Sequence, residues 1–568
     1  MSGFSQRGHR DSETKHAAAV GIQGDFKEHC MLIRGSELTV DDVYDIAVNR
    51  EPVELDADQL AMVDATHRRI QRWGAEGHPI YGVTTGFGEM VTRSIPPQFE
   101  TALQGNLLRT HAAGGGPLFE DTTVRAISVA RLNCLMRGYS GVRPETLRLM
   151  ADLLNAGIHP LVPQQGSLGA SGDLAPLAHL AISLIGAGQV RRNGVIRSAA
   201  EALADAGLRP TRLGYKEGLA LINGTSAMTG VASVSLVRAH RLLRVALWAA
   251  ATFLQVMQGS TGAFEPRGHE LKNHAGQCEV AEVVLGLLGG SELTRDHAEV
   301  MRLIQAEAAN SGRVTKVHDY LQDAYTLRCI PQIVGPIVDT LDYCRRLVEE
   351  ELNSCNDNPL IFDSPETIFH GGNFHGQYVA MASDFLNVAV CEIGVLAERQ
   401  VNRILDPHLN RSYPAFLAFG DEGLNSGLQG SQYLATSIAS ENLDLAAPAS
   451  VKSIPSNGQN QDVVSMGLIA ARKSCTLVDN VYTIVSVLVA ACYQAASMVG
   501  IEKFSPGTRG LLEHLEQTTP AFRDDEGIAS EFLATVRRTV LDSGVDDLLP
   551  SLPSRAASPR FPAFAPVQ

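Results

Sequence analysis

The 568-residue sequence lacks most of the devices by which enzymes recruit a metal or a diffusible cofactor. Its nine cysteines are scattered from Cys30 to Cys492, odd in number and without a Cys-x-x-Cys pair. That pattern excludes a disulfide framework and fits free thiols in a reducing compartment. None of the 17 histidines falls in a His-Glu-x-x-His motif, and His269 and His274, five apart, do not share a helix face for joint ligation. No Gly-Lys-Ser/Thr phosphate loop and no dinucleotide fingerprint occurs. Neither a metal nor a diffusible cofactor is therefore expected. Charge is sparse and one-sided: 19% of residues are charged, with a net charge of −15, which argues against nucleic acid or an anionic membrane as partner. The first thirty residues carry Arg7, His9, Arg10, Asp11, Glu13 and Lys15 and no apolar core. No secretory signal is expected, and the location expected is cytoplasmic.

What the chain has in quantity is apolar helix. Hydrophobic residues make up 45% of it, and long helical segments are predicted over about 231–258, 335–354, 375–404, 430–445 and 463–499. Residues 480–501 contain no charge and are long enough to cross a bilayer. They include Asn480, Thr483, Ser486, Gln494 and Ser497, so a buried core helix is expected instead. Nearer the N-terminus, Thr39 with Asp42 signals a helix start, and Leu60, Val63, Ile70 and Trp73 share one face of a helix over 57–74. Short β elements are expected at Asn193-Gly194, a type I′ hairpin signal, and as a strand pair within 359–372. The class is mainly α, in four parts. Residues 1–34 read as a disordered extension, 35–225 as an N-terminal domain with short hairpins, 226–545 as a helical bundle and 546–568 as a flexible tail.

The chemistry concentrates at residues 166–180, Gly-Ser-Leu-Gly-Ala-Ser-Gly-Asp-Leu-Ala-Pro-Leu-Ala-His-Leu. Ala170-Ser171-Gly172 can become an electrophile. If the Gly172 nitrogen attacks the Ala170 carbonyl and two waters leave, one of them from the Ser171 side chain, a five-membered ring with an exocyclic methylidene results. Gly172 has no Cβ to obstruct the approach, Ser171 provides the departing hydroxyl, and Ala170 is small. No protein side chain is naturally electrophilic, so such chemistry otherwise requires a cofactor. The segment is not a nucleophile elbow, since Asp173 rather than Gly follows Gly172. Upstream, residues 81–88, Tyr-Gly-Val-Thr-Thr-Gly-Phe-Gly, break helical periodicity and suggest a mobile lid.

This fifteen-residue frame resembles the signature of the ammonia-lyases and aminomutases acting on histidine, phenylalanine and tyrosine, which carry 4-methylidene-imidazol-5-one (MIO). Further matches are spread over about 35–505. They are Tyr81 in its glycine-rich loop, Asn223 in Leu-Ile-Asn-Gly-Thr-Ser, Tyr325 and Arg328 in Gln-Asp-Ala-Tyr-Thr-Leu-Arg, Phe374 in Asn-Phe-His-Gly, and Asn460-Gln461-Asp462. The resemblance implies a helical bundle of the fumarase/aspartase-like superfamily, with the MIO borne by the smaller N-terminal region. It also implies a homotetramer whose sites draw on three chains, with helix N-termini converging on the MIO.

By the same resemblance, Tyr81 removes a proton from the substrate Cβ. A free tyrosine titrates near 10, so a phenolate at neutral pH needs stabilisation on the order of 4 kcal/mol, which helix N-termini help to provide. Arg328 holds the substrate carboxylate in a planar fork that Lys does not reproduce. Tyr325 donates to the carboxylate or the MIO, with Tyr320 in support. Asn223 and Gln461 hold polar groups without adding charge, and Phe374 packs on an aromatic ring.

His111 matches a position at the far end of the substrate ring, where an imidazole can hydrogen-bond a phenol hydroxyl, and Tyr433 is a second candidate there. Gln461 stands where histidine lyases carry a carboxylate, which disfavours histidine as substrate. Residues 81–91, 110–116 and 432–448 look most like bacterial tyrosine 2,3-aminomutases. The expected activity is therefore a 2,3-amine shift on an aromatic L-α-amino acid, tyrosine first, giving a β-amino acid through a cinnamate-type intermediate. The alternatives are a tyrosine or phenylalanine ammonia-lyase and, from another class, a non-catalytic helical scaffold. The Gly-Ser-Ser-x-Met-Pro loop of fumarase-like lyases has no counterpart in this chain.

Overall fold

The computed structural model describes residues 30–309, 312–411, 413–523, 525 and 527–552. Most of the expected extension (1–29) and tail (553–568) lies outside the described residues.

Five long helices form the centre: Ser226–Val256, Ile330–Leu352, Gln377–Leu405, Gln429–Leu445 and Gly467–Val499. The last packs on helices Gln377–Leu405, Ser226–Val256 and Gln429–Leu445, so it runs through the middle of the bundle. Each helix was expected, and the shifted ends have local causes. Helix Ile330–Leu352 starts earlier than the 335 expected because Pro331 occupies its first turn, where a missing N–H costs nothing, and the helix continues through Pro336. Helix Gly467–Val499 starts later than 463 because Met466 takes a left-handed conformation at its N-cap, φ 51°.

Helices Gln377–Leu405 and Gly467–Val499 are long and apolar enough to span a membrane, yet most of each is buried in the bundle. The polar groups of the uncharged 480–501 run are spent inside the protein. Gln494 Nε2 donates to the Phe522 carbonyl (2.6 Å), Tyr493 Oη to the Thr519 carbonyl (2.7 Å) and Ser486 Oγ to the Tyr482 carbonyl (2.6 Å). Satisfying buried groups in this way is what a water-excluded protein core requires.

The N-terminal region is smaller and mixed. Thr39 and Asp42 form the expected capping box, and helix Ala57–Ala75 buries Leu60, Val63, Ile70 and Trp73. Strands Gln189–Arg192 and Val195–Ser198 meet across Asn193 (φ 51°) and Gly194 (φ 77°), the two positive φ values of a type I′ turn. Strands Leu360–Asp363 and Glu366–Phe369 form the second expected pair. A buried ion pair ties the region to the bundle: Lys216 Nζ lies 2.7 Å from Asp357 Oδ2 and donates to the Ser140 carbonyl, with both charged side chains fully buried.

Two boundaries need correction. Met31–Ile33, within the expected extension, is a strand parallel to Val53–Leu55, with Ile33 buried. Residues 546–550, within the expected tail, are clamped to helix Ser226–Val256, where Arg241 Nε meets Asp546 (2.7 Å) and Arg244 Nε donates to the Pro550 carbonyl (2.8 Å). In the first case three residues are too few to show a period. In the second, the clamp comes from arginines some three hundred positions away in sequence.

Candidate active site

Three helices begin beside the Ala-Ser-Gly tripeptide, Leu174–Leu184, Ser226–Val256 and Gly467–Val499, and a fourth, Gln377–Leu405, begins next to the last two. The tripeptide is clasped from both sides. The Asp173 N–H donates to the Gly224 carbonyl (2.7 Å), the Met466 N–H to the Leu168 carbonyl (3.0 Å) and Ser465 Oγ to the Gly169 carbonyl (3.2 Å). Gly172 (φ 71°) runs so close to Gly224 that a Cβ at 172 would collide with the Gly224 carbonyl. Gly376 and Gly467 both abut the Met228 sulfur, which keeps three of the helix starts together. The N-terminal ends beside the tripeptide bring positive partial charge there and favour negative charge.

Ser171 is held at two atoms. Asn223 Nδ2 donates to its carbonyl (3.0 Å) and Gln461 Nε2 to its Oγ (2.8 Å). Ser456 Oγ in turn donates to Gln461 Oε1 (3.1 Å), which aims the amide N–H at Ser171. Asn223 Oδ1 is buried with no partner among the described residues, an acceptor left for a ligand or prosthetic group.

Ser171, Asn223 and Gln461 line one cavity of about 560 Å³ together with Tyr81 and His111. Leu103, Leu107, Leu174, Leu219 and Phe87 supply an apolar wall. An adjoining cavity of about 220 Å³ is lined by Ala170, Ser171, Gly172, His111 and Gln461. Tyr81 Oη accepts from the Gly88 N–H (2.9 Å), and the Tyr81 N–H donates to His370 Nε2 (3.3 Å). The Gly88 turn rests against Asn457, so the Tyr81 loop and the turn that holds Gln461 touch. His111 Nδ1 lies 2.9 Å from the Leu107 carbonyl, which can only accept. In the neutral ring that bond places the proton on Nδ1 and leaves Nε2 as an acceptor.

The other five expected residues do not line this cavity. Tyr320, Tyr325 and Tyr433 are more than 60% exposed, and Phe374 is half-buried. Arg328 stacks its guanidinium over the Tyr325 ring, 4.8 Å from the centroid, with Nε buried and without a hydrogen-bond partner among the described residues. No lysine or arginine is among the described residues lining the cavity. Within one chain, Arg328 therefore stands outside the cavity that Tyr81 and Ser171 line.

Several supporting groups had no motif to reveal them. Arg131, fully buried, donates to the Asn223 carbonyl (2.8 Å), the Ala220 carbonyl and Asn356 Oδ1 (3.2 Å), and so fixes the segment that receives Gly172. Asp173, also fully buried, accepts from Met228 N–H (2.8 Å) and Ser167 Oγ (2.7 Å). Burial pushes its carboxyl up to about 6, with these hydrogen bonds pulling back. Beyond it, Thr225 donates to Glu351, whose carboxyl burial pushes up to about 7.

Residues 38–517 match the aromatic amino acid lyase family. The chain belongs to that family. Among its relatives, the tyrosine 2,3-aminomutase of Chondromyces crocatus is 58% identical, over 90% of this chain and 97% of that protein. The MIO-dependent tyrosine 2,3-aminomutase of Streptomyces globisporus is 44% identical, over 88% of this chain and 93% of that protein. The crystal structure of a tyrosine aminomutase from Streptomyces globisporus superposes with a TM-score of 0.87 at 42% identity, covering 90% of this chain and 96% of that one. This aromatic amino acid lyase family member is thus an enzyme with the helical fold expected from its sequence.

The raised Glu351 carboxyl has a consequence for stability. The folded state keeps a proton on Glu351 that the unfolded chain releases from its ordinary value of 4.5 upward. Glu351 therefore stabilises the fold below that value, and its contribution is lost as pH rises through about 7. In Glu351→Gln, the fall in melting temperature between about pH 5 and about pH 8 should be smaller than in the parent. Equal falls in the two proteins would contradict the assignment.

Proposed function

We propose that the enzyme converts L-tyrosine to β-tyrosine by a 2,3-amine shift, with a coumarate-type acid as the enclosed intermediate. The observation that carries this reading is the single apolar-walled cavity that gathers Tyr81, Ser171, Asn223, Gln461 and an acceptor nitrogen of His111. Identity of 58% to a tyrosine 2,3-aminomutase supports it.

The residues fit an MIO formed from Ala170, Ser171 and Gly172. Amide groups meet both Ser171 oxygens, Asn223 Oδ1 is unpartnered, and Gly172 lies against Gly224 where no Cβ fits. That group, formed by the chain on itself, supplies the electrophile for the substrate amine. Tyr81 removes the β-proton, and the Gly88 N–H bonded to its hydroxyl oxygen favours the phenolate. His111 Nε2 accepts the substrate phenol O–H. An analogue without that hydroxyl would leave the nitrogen unpaired, a strong basis for discrimination. The leucine wall excludes water, and the Tyr81 loop resting on Asn457 keeps the unsaturated acid in place until the amine returns at Cβ.

The carboxylate requires a cation that the cavity lacks, so we assign it to Arg328 of a neighbouring copy, with Tyr325, Tyr320, Phe374 and Tyr433 contributed in the same way. Helix Gln377–Leu405 displays Tyr378, Met381, Phe385 and Val388 along an exposed apolar stripe, an extent of apolar surface suited to contact between copies. A homotetramer with shared sites, in the cytoplasm, completes the reading.

Two experiments test it. Purified enzyme given L-tyrosine, L-phenylalanine and L-histidine separately should accumulate β-tyrosine ahead of coumarate, resolved by chiral chromatography with mass detection. Coumarate and ammonia without a β-amino acid would make it a lyase, and urocanate alone would overturn the reading of Gln461. Separately, Tyr81→Phe and Arg328→Gln should each lower kcat/KM by about 10²-fold or more. Co-expressed, the two variants should regain activity, because some shared sites then combine an intact Tyr81 with an intact Arg328. No recovery would mean that the two residues act within one chain.

A further inference from the structure

Arg328 is worth little as a carboxylate anchor unless the short helix that carries it is held still. Tyr325–Arg328 is a single turn. Its hydrogen bonds start at Ala324, whose carbonyl accepts from both Leu327 N–H (3.0 Å) and Arg328 N–H (3.0 Å). The tether next to that carbonyl is the Asp323 side chain, 7% exposed. Its Oδ2 accepts from the Ser260 N–H (2.9 Å), just beyond helix Ser226–Val256. Its Oδ1 is 3.2 Å from Arg411 Nη2 and 3.9 Å from Arg295 Nη2. Arg295 is itself fixed, with Nε donating to the Gln258 carbonyl (2.9 Å) and its backbone bridged to Gly259 and Thr261.

We propose that Asp323 is a positioning residue for substrate-carboxylate binding, acting through the placement of Arg328; this rests on the assignment of Arg328 above. The carboxylate makes a charge-assisted hydrogen bond to Arg411, of roughly twice the ordinary strength, and faces Arg295 at the longer ion-pair distance of 3.9 Å. One carboxylate thus joins three separate parts of the chain: the end of helix Ser226–Val256, the segment around Arg295 and the segment around Arg411. On the far side of Ala324, Gln400 Nε2 donates to the Thr326 carbonyl (3.0 Å), and Leu327 is buried. The turn is therefore held at both ends, by the charged Asp323 carboxylate on one side and by the neutral Gln400 amide on the other. Asp323→Asn keeps an acceptor for Ser260 but removes the charge that faces the two arginines, so the turn and its guanidinium lose their fixed aim.

The test compares Asp323→Asn with Arg328→Gln, using L-tyrosine as substrate and tyramine, which lacks the carboxylate, as a competitive inhibitor. Asp323→Asn should raise KM for L-tyrosine about tenfold, with kcat changed by less than about threefold and the tyramine inhibition constant unchanged. Arg411→Gln, at the more exposed edge of the cluster, should move the same quantities in the same direction and serves if Asp323→Asn does not fold. An unchanged KM in both variants, or equal weakening of tyrosine and tyramine, would overturn the proposal. If Arg328→Gln leaves KM unchanged, it is the Arg328 assignment that fails. A raised KM in Arg328→Gln with none in Asp323→Asn or Arg411→Gln refutes the role of Asp323 alone.

Discussion

The close approach of two glycine backbones, 172 and 224, is the constraint on which the site depends. Neither position admits a Cβ: one at 172 would strike the Gly224 carbonyl, and one at 224 would strike Arg131 and Asn356. Because the two backbones meet, Asn223 arrives at the Ser171 carbonyl and helix Ser226–Val256 points its N-terminus at the tripeptide. Because Arg131 draws in the carbonyls of Ala220 and Asn223 from behind, that arrangement is buried and rigid. With Gly172 pressed into a left-handed bend against Gly224, the geometry of the tripeptide is set by the fold rather than found by diffusion.

Around that centre the division of labour follows charge. The cavity wall within one chain is apolar and neutral, with amide groups and one imidazole as its polar points. The Arg328 guanidinium sits elsewhere, on the turn Tyr325–Arg328, among exposed tyrosines. A buried guanidinium facing a neutral cavity in the absence of substrate would carry a heavy desolvation cost. Stacking on Tyr325 keeps Arg328 at the surface of its own chain, where the neighbouring copy proposed above would cover it.

Much of this was legible in the sequence because the decisive signals are local. Asn193-Gly194 specifies a type I′ turn whatever surrounds it, and the polar residues of 480–501 mark a helix that has partners inside a protein. Ala170-Ser171-Gly172 could be recognised because the frame around it, residues 166–180, is continuous in sequence. Distant supports left no such trace. Arg131 lies in an apolar helix and reads as an ordinary helical arginine until the fold brings Asn223 to it, ninety-two positions away. Asp173 was visible only as the residue that ruled out a nucleophile elbow, although it accepts the hydrogen bonds that lock helix Ser226–Val256 to the tripeptide. The strand Met31–Ile33 has no pattern of its own and exists only because Val53–Leu55 lies beside it.

The measurement that bears most directly on this account is the mass of the peptide containing residues 166–180 from the purified, folded protein. The account predicts a peptide lighter by two waters in the parent protein, and the unmodified mass in Gly224→Ala, where a Cβ would strike Arg131 and Asn356 and move the Gly224 segment off Gly172. An unmodified parent peptide would contradict the account at its centre, because the chain would then have no electrophile of its own making.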